Sequence, residues 1–355
     1  MNLSKTDLDP ENVKHYYGTV LQGSGDLKTS ACCTTDESAS PRVRNALANI
    51  DDEILKRYYG CGSPLPPLLE GCTVLDLGCG SGRDVYLASQ LVGATGQVIG
   101  VDMTGEQLAV ARHHLEPQMV RFGYAQPNVI FHQGRMEDLA AIGIADHSVD
   151  VVISNCVLNL SPDKRAVFGE IFRVLKPGGE LYFSDVFSGR RVPTTLRTDP
   201  VLHGECLAGA LYREDFRRLL RDVGCLDHRL TASRRITLDN SEVEAKIGMI
   251  DFHSVTVRAF KLAALEDLCE DYGQVAIYRG TIPDWSHHFD LDDHHRFPTG
   301  KPLLVCGNTA AMLQETRYHP HFTVQGDRST HFGPFDCAPA VAKTIDARGV
   351  GGACC

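Results

Sequence analysis

Apolar positions along this chain come in two rhythms. Short β-branched runs bounded by Gly, Pro, Asp or Asn read as strands, and apolar residues three and four apart read as helices. Val151-Val152-Ile153, inside "VDVVISN", is a continuous apolar run, as expected of a strand covered on both faces. Thr73 to Leu77 reads as another strand, and Asp84 onward as a helix with Val85, Leu87, Ala88 and Leu91 apolar. "GQVIGVDMT", "NVIFHQG" and "VLKPGGELYFSDV" supply three more strands, the last entered through a turn that Pro177, Gly178 and Gly179 force. A helix over "YREDFRRLLRDVG" comes next. Alternation in "RLTASRRITLDN" and "DFHSVTVRAFKL" predicts two further strands, the second patterned well enough to complete a sheet. The predicted class is α/β, where chemistry gathers beyond the carboxyl ends of the strands.

Composition narrows this. The chain has 355 residues, 43% hydrophobic and 23% charged, enough for ordinary cores and more than one domain. A net charge of -10 argues against a phosphate-tracking nucleic-acid binder, and Arg217, Arg218 and Arg221 read as a solvated helix face. No apolar run approaches the ~20 residues of a membrane span. "MNLSKTDLDPENVKHYYG" has no apolar core, so no signal peptide is expected, and the expected compartment is a reducing cytoplasm. Neither nucleic acid nor membrane is an expected partner.

Thirteen cysteines change the picture more. They cannot all pair, and disulfides are rare in the cytosol unless redox-active. No C-x-x-C spacing occurs, so a structural zinc site is not expected. Cys72, Cys225, Cys269 and Cys306 read as small buried hydrophobes. Three others sit in loop contexts, where that reading is weaker. Cys156 follows the buried strand directly, Cys206 lies in "LHGECLAGALY" after the fifth strand, and Cys61 stands between two glycines in "RYYGCGSPLP". "SNCVLNL" offers Asn155, Cys156 and Asn159 but no carboxylate and no His to act as a base. Cys156 alone fits either a covalent nucleophile or a holder of a soft acceptor, and the sequence leaves both open. "WSHHFDLDDHHRFPTGKP" reads as a solvated loop whose His and Asp residues do not converge, and "GVGGACC" as a disordered tail.

"TVLDLGCGSGRD" carries the cofactor reading. Its G-x-G-x-G turn lets backbone approach a ligand, and Arg83 breaks the dinucleotide pattern G-x-G-x-x-G. Asp76 before the first glycine resembles motif I of class I methyltransferases, which bind S-adenosylmethionine. Asp102 ends the second strand where an acid meets ribose hydroxyls, and Glu137 and Asp138 stand where that class addresses adenine.

With "YYGTVLQGSGDLKTSACCT", "RYYGCG", "VDMT", "SNCVLNLSPDK", "ELYFSDV" and "GECLAGALY" added, the chain resembles the arsenite S-adenosylmethionine methyltransferases, from about Tyr16 to Tyr212 and more loosely through "HSVTVRAFKL". The resemblance implies a class I Rossmann-like methyltransferase sheet with a small arsenic-binding accessory region and a C-terminal region. It implies that Cys61, Cys156 and Cys206 bind trivalent arsenic and that Cys32 forms a disulfide with Cys61. It places Tyr59, Asp76, Gly78, Cys79, Gly80, Asp102, Met103, Thr104, Met136, Glu137, Asn155 and Val157 at the S-adenosylmethionine site. The expected partners are arsenite or its glutathione conjugate, with thioredoxin or glutathione as reductant. The expected organisation is an N-terminal arm over 1–66, the methyltransferase domain over 67–230, the accessory region over 231–282 and a C-terminal region over 283–355, where Cys354 and Cys355 would capture arsenic and pass it inward. Two other readings use the same residues: a thiol-based metalloid buffer or sensor on a methyltransferase scaffold, and a methyltransferase acting on a small organic acceptor.

Overall fold

A computed structural model describes residues 40–197, 199, 202, 205–238 and 240–337. Eight strands form the central sheet: β1 Thr73–Leu77, β2 Gln97–Asp102, β3 Val129–Gln133, β4 Val149–Asn155, β5 Leu175–Ser188, β6 Leu211–Tyr212, β7 His228–Arg235 and β8 Phe252–Phe260. Their order is β3-β2-β1-β4-β5-β8-β7, with β6 paired to β5. The first five run parallel, and β8 lies antiparallel between β5 and β7. All but one residue of β1 and of β4 are buried, which is why both read as near-continuous apolar runs. Strand order reverses between β1 and β4, so their carboxyl ends diverge and leave a crevice.

Helices cover both faces. Arg83–Val92 packs Val85, Leu87, Ala88 and Leu91 on one side, while Lys164–Val174 and Arg213–Asp222 close the other around Phe168, Phe183 and Phe216. Edge-to-face contacts join those three rings, with centroids 5.6–6.1 Å apart. Arg217, Arg218 and Arg221 pair with Glu214, Asp215 and Asp267, as a solvated helix face does.

The boundary expected after Leu230 falls inside β7, and the expected accessory region contributes β8 to the main sheet, between β5 and β7. A separate C-terminal unit begins after Phe260. It contains β9 Glu270–Asp271, β10 Gln274–Tyr278, β11 His288–Asp290, β12 Arg296–Pro298, β13 Pro302–Val305, β14 Phe322–Gln325, β15 Gly333–Pro334 and the helix Gly307–Gln314. Strands β13-β10-β14 form a small antiparallel sheet, β11 pairs β12, and β15 pairs β9. Its core gathers Tyr278, Phe289, Phe297, Tyr318 and Phe322. The unit is anchored by a buried charge network: Arg258 of β8 donates to Glu180 of β5 at 2.7 Å, to Tyr318 Oη at 2.8 Å, and to the Leu291 carbonyl, and Arg317 pairs with the same Glu180. Burying such charges is tolerable only when each is paired and hydrogen-bonded.

Candidate active site

The crevice between β1 and β4 deepens into a cleft bordered by the glycine turn after β1, the end of β2, the loop after β3 and the end of β4. All twelve residues expected at the donor site line it: Tyr59, Asp76, Gly78, Cys79, Gly80, Asp102, Met103, Thr104, Met136, Glu137, Asn155 and Val157. Gly78 takes φ 73°, and a Cβ there would lie 2.3 Å from Val157, so the turn closes only with glycine. Asp102 accepts the Gly80 and Thr104 amides at 2.8 and 2.7 Å, which fixes the loop and leaves lone pairs toward the cleft. Glu137 accepts the Ser161 hydroxyl at 2.6 Å. Burial first, then the neighbouring carboxylates Asp84 and Asp102, pushes Asp76 well above the usual carboxylate range. Such a site gains by receiving a cation.

Sequence reasoning missed part of the cleft. Arg83 lies over the Tyr58 ring at 3.9 Å and pairs with Asp84 at 2.7 Å, within the helix start. The broken dinucleotide pattern was the signal: a cation stands where a third glycine would. Asn155 reaches beyond the donor site, since its amide approaches Asp84 at 3.0 Å and its Oδ1 accepts the Cys61 amide at 2.9 Å. One side chain thus ties the donor cleft to the loop bearing a thiol. A Cβ at Gly60 would sit 2.0 Å from the Tyr58 hydroxyl and 2.6 Å from the Asn155 amide, so a larger residue there would displace both side chains.

Cys61, Cys156 and Cys206 come together beside this cleft. Cys61 and Cys156, 95 residues apart, form a disulfide with Cα atoms 5.7 Å apart. The Cys206 thiol donates to the Cys156 carbonyl at 3.2 Å. Cys32 lies outside the described residues, as do Cys354 and Cys355, so the Cys32–Cys61 pairing falls outside them too. Loop position had made a purely packing role less expected. All three are nonetheless buried, among Leu160, Val186, Leu202, Leu207 and Phe252, because the segments after β4 and β5 fold back over one another. Cys156 and Cys206 hold φ 59° and 60°, left-handed backbone that costs ~1–2 kcal/mol outside glycine. Glycine would occupy both positions more cheaply, so the thiols are what the strain retains. Cys156 lines the donor cleft and Cys61 lines a second cavity against β8 and the C-terminal unit. The disulfide therefore stands in the wall between the two.

The site also holds a carboxylate that "SNCVLNL" did not reveal. Asp185 of β5 accepts the Asn159 side chain at 2.7 Å and its backbone amide at 3.1 Å. Burial pushes Asp185 up to about 6 and draws the nearby Lys164 amine, which donates to the Asn159 and Ser161 carbonyls, down to about 8. These groups brace the turn carrying Cys156.

A methyltransferase-domain family matches residues 68–224, and the arsenite methyltransferase C-terminal domain family matches residues 272–348. An arsenite methyltransferase of Aquipseudomonas alcaligenes is 56% identical over 92% of this chain and 93% of its own length. The human arsenite methyltransferase is 43% identical over 89% of this chain and 83% of its own. This chain belongs to the arsenite methyltransferase family. The fold agrees: the crystal structure of an arsenic(III) S-adenosylmethionine methyltransferase from Chlamydomonas reinhardtii is 53% identical, covers 84% of this chain and 99% of that one, and superposes with a TM-score of 0.81. The expected α/β methyltransferase sheet and S-adenosylmethionine as donor both stand with membership of the arsenite methyltransferase family. Among the described residues no helix is long and apolar enough to cross a membrane.

Two expectations about the C-terminal region of this arsenite methyltransferase homologue are overturned. Asp292, His294 and His295 converge at the tip of the β11–β12 hairpin, with Asp292 buried and 2.8 Å from His295. The hairpin and the Arg229 guanidinium, 3.5 Å from Asp292, bring them together. Cys269 and Cys306 are not isolated hydrophobes, because both meet Cys337. Cys225 does pack in the main core as expected, and Cys72 packs at the edge of the second.

Proposed function

We propose that this chain methylates thiol-bound trivalent arsenic, and that Cys61, Cys156 and Cys206 are the thiolates that hold it. The observation that carries the reading is that three buried cysteines, Cys61 and Cys156 joined as a disulfide and Cys206 bonded to the Cys156 carbonyl, meet at the edge of the cleft, two of them in left-handed conformation. Bound S-adenosylmethionine supplies an electrophilic methyl group on a sulfonium, for in-line displacement. The cleft suits that donor: Asp102 and Glu137 offer acceptors for hydroxyls and an amine, and the buried Asp76 and Asp84 favour its cationic end.

Arsenic bound by three thiolates keeps a lone pair and carries no proton. No general base is then needed, so Asp185 is left to brace the Cys156 turn, and the protein's contribution is alignment, worth ~7–11 kcal/mol for two held reactants. The apolar shell of Leu160, Val186 and Phe252 suits a neutral trithiolate complex and excludes water.

Methyl gain oxidises arsenic by two electrons, from the trivalent to the pentavalent state. Two thiolates return it to the trivalent state by joining as a disulfide. The Cys61–Cys156 disulfide is the two-electron-oxidised form of two proposed ligands, so a dithiol reductant such as thioredoxin, or glutathione, must reopen it before arsenic binds again. Cys32–Cys61 is a second pairing for the same electrons. Methyl- and dimethylarsenicals are the expected products, in a cytoplasmic detoxification role. A small organic acceptor would leave the three converging thiols without a task, and a metalloid buffer would leave the donor cleft without one.

The test is Cys156→Ser and Cys206→Ser, singly and together. Each should bring arsenite methylation below a few per cent, because serine supplies no soft thiolate, and the losses should be non-additive, as for groups acting as one unit. Donor affinity and melting temperature should remain close to wild type. Robust arsenite methylation by Cys156→Ser would make the thiol structural and defeat the proposal.

A further inference from the structure

Cys269, Cys306 and Cys337 form a second group of three thiols, far from the donor cleft in sequence and absent from its lining. Their Sγ atoms all lie within 4.8 Å of one another. Three separate segments deliver them. Cys269 precedes β9, Cys306 follows β13 and caps the helix Gly307–Gln314, and Cys337 follows β15.

Each segment is fixed by bonds that do not involve the thiols. The Phe335 amide donates to the Cys269 carbonyl at 2.7 Å, and the Cys337 amide donates to the Phe335 carbonyl at 3.0 Å, so the strand end carrying Cys337 is sewn beside Cys269. Asn308, next but one to Cys306, accepts the Glu266 amide and donates to the Glu266 carbonyl, both at 2.8 Å. That ties the helix start to the segment leading into Cys269. Cys306 itself is buried, with its Sγ 3.5 Å from the Thr309 amide, 3.3 Å from the Thr309 hydroxyl and 3.8 Å from the Arg229 guanidinium. Donors around one sulfur favour its thiolate, the form that ligates. Cys269 and Cys337 are half-buried and form the rim.

We propose that these three thiols are a second, non-catalytic site for a trivalent thiophilic metalloid. Arsenite is the form this family handles: As(OH)3 and three thiols give a trithiolate complex and three waters, with no change of oxidation state. Coordination number favours a metalloid over zinc. Among the described residues no fourth His, Cys, Asp or Glu joins the group, whereas structural zinc is almost always held by four protein ligands. Three sulfurs alone complete a trigonal-pyramidal centre.

The site is separable from the methyl-transfer reading, and the experiment keeps them apart. The full chain carrying Cys61→Ser, Cys156→Ser and Cys206→Ser would be reduced with a phosphine, and its arsenic content measured by equilibrium dialysis against arsenite. Cys354→Ser and Cys355→Ser would be added to remove the terminal pair. One arsenic per chain should remain, and Cys269→Ser or Cys337→Ser should weaken its binding at least tenfold. Arsenite should also shield Cys269 and Cys337 from alkylation, mapped by peptide mass spectrometry. That readout uses the unaltered C-terminal trio and decides the matter if either serine variant fails to fold. Arsenic retained undiminished in both variants, with no shielding, overturns the site. So does zinc binding more tightly than arsenite with the same residue dependence, since that assigns the thiols to a divalent metal.

Discussion

Two groups of three cysteines, placed differently, divide this molecule: the first holds the Cys61–Cys156 disulfide and the second holds three free thiols. Cys61, Cys156 and Cys206 sit on loops at the carboxyl end of a parallel sheet, sunk in apolar side chains, with a methyl-donor cleft against Cys156. Cys269, Cys306 and Cys337 sit on a small antiparallel unit, two of them half-buried, beside Arg229 and away from that cleft. Both trios offer cysteine sulfur alone. On the proposed reading, what separates a catalytic site from a binding site is the neighbour: Cys156 lines the cleft proposed for the methyl donor and no member of the second trio does, and only in the first trio does the backbone hold two cysteines in left-handed conformation. Thiol count therefore says what is held, and the surroundings say what happens to it.

The largest expected effect comes from cutting the C-terminal unit loose. Arg258→Met strips a buried partner from Glu180 and frees the Leu291 carbonyl and Tyr318 hydroxyl. Removing one partner of a buried pair costs ~3–5 kcal/mol. The unit bearing the second trio should loosen, with arsenite shielding at Cys337 lost while the donor still binds in the cleft. Thermal unfolding together with donor calorimetry checks this. Equal loss at both sites would mean that the two are one cooperative structure.

Protonation sharpens the contrast next, because the two trios lie near carboxylates shifted in opposite directions. Burial holds Asp185, behind Cys156, up to about 6. Between about pH 4 and 6 the native state keeps a proton that the unfolded chain has lost, so this group's contribution falls as pH rises, by about 3 kcal/mol in all. Asp292, near the second trio, goes the other way. Burial opposes it, but the His295 hydrogen bond and the charges of His295 and Arg229 bring it down to about 2. Its stabilisation is complete above about pH 4 and is lost as pH falls toward 2. Urea unfolding from pH 4 to 7 should show a downward contribution that Asp185→Asn abolishes. Parallel profiles for wild type and variant would contradict the assignment.

The smallest effect concerns the neighbour that defines the first trio. Asp102→Ala should weaken S-adenosylmethionine by ~1–3 kcal/mol through lost hydrogen bonds, including those that set the Gly80 loop. Arsenite affinity of both trios should stay unchanged. Calorimetry with donor and arsenite separately tells these apart, and a matching fall in arsenite affinity would break the separation of donor from acceptor.

The donor half was legible because its signals are local. A strand, a glycine turn and a helix follow one another from Thr73 to Val92, and Asp102 ends the next strand. The thiol sites are long-range facts. Cys269, Cys306 and Cys337 have no close spacing, and what joins them is long-range: the pairing of β15 with β9, the capping of one helix by Cys306, and the Phe335–Cys269 and Asn308–Glu266 hydrogen bonds. The hairpin gathering Asp292 and His295 was hidden for another reason. Its strands are three residues each, too short to show alternation. Arg258 and Glu180 were invisible likewise, since the sheet order that pairs β5 with β8 cannot be read from either strand. Resemblance supplied Cys61, Cys156 and Cys206 as a set, where residue chemistry alone left Cys156 undecided.

The central claim is that position beside the donor, and not thiol number, makes one trio catalytic. The most direct measurement is arsenite-dependent S-adenosylhomocysteine release by two full-length variants, one with serine at 61, 156 and 206 and the other with serine at 269, 306 and 337, under the same dithiol reductant. The first should fall below a few per cent of wild type while still binding S-adenosylmethionine, and the second should keep at least half the wild-type rate. Methylation that survives in the first variant and disappears in the second would contradict the account.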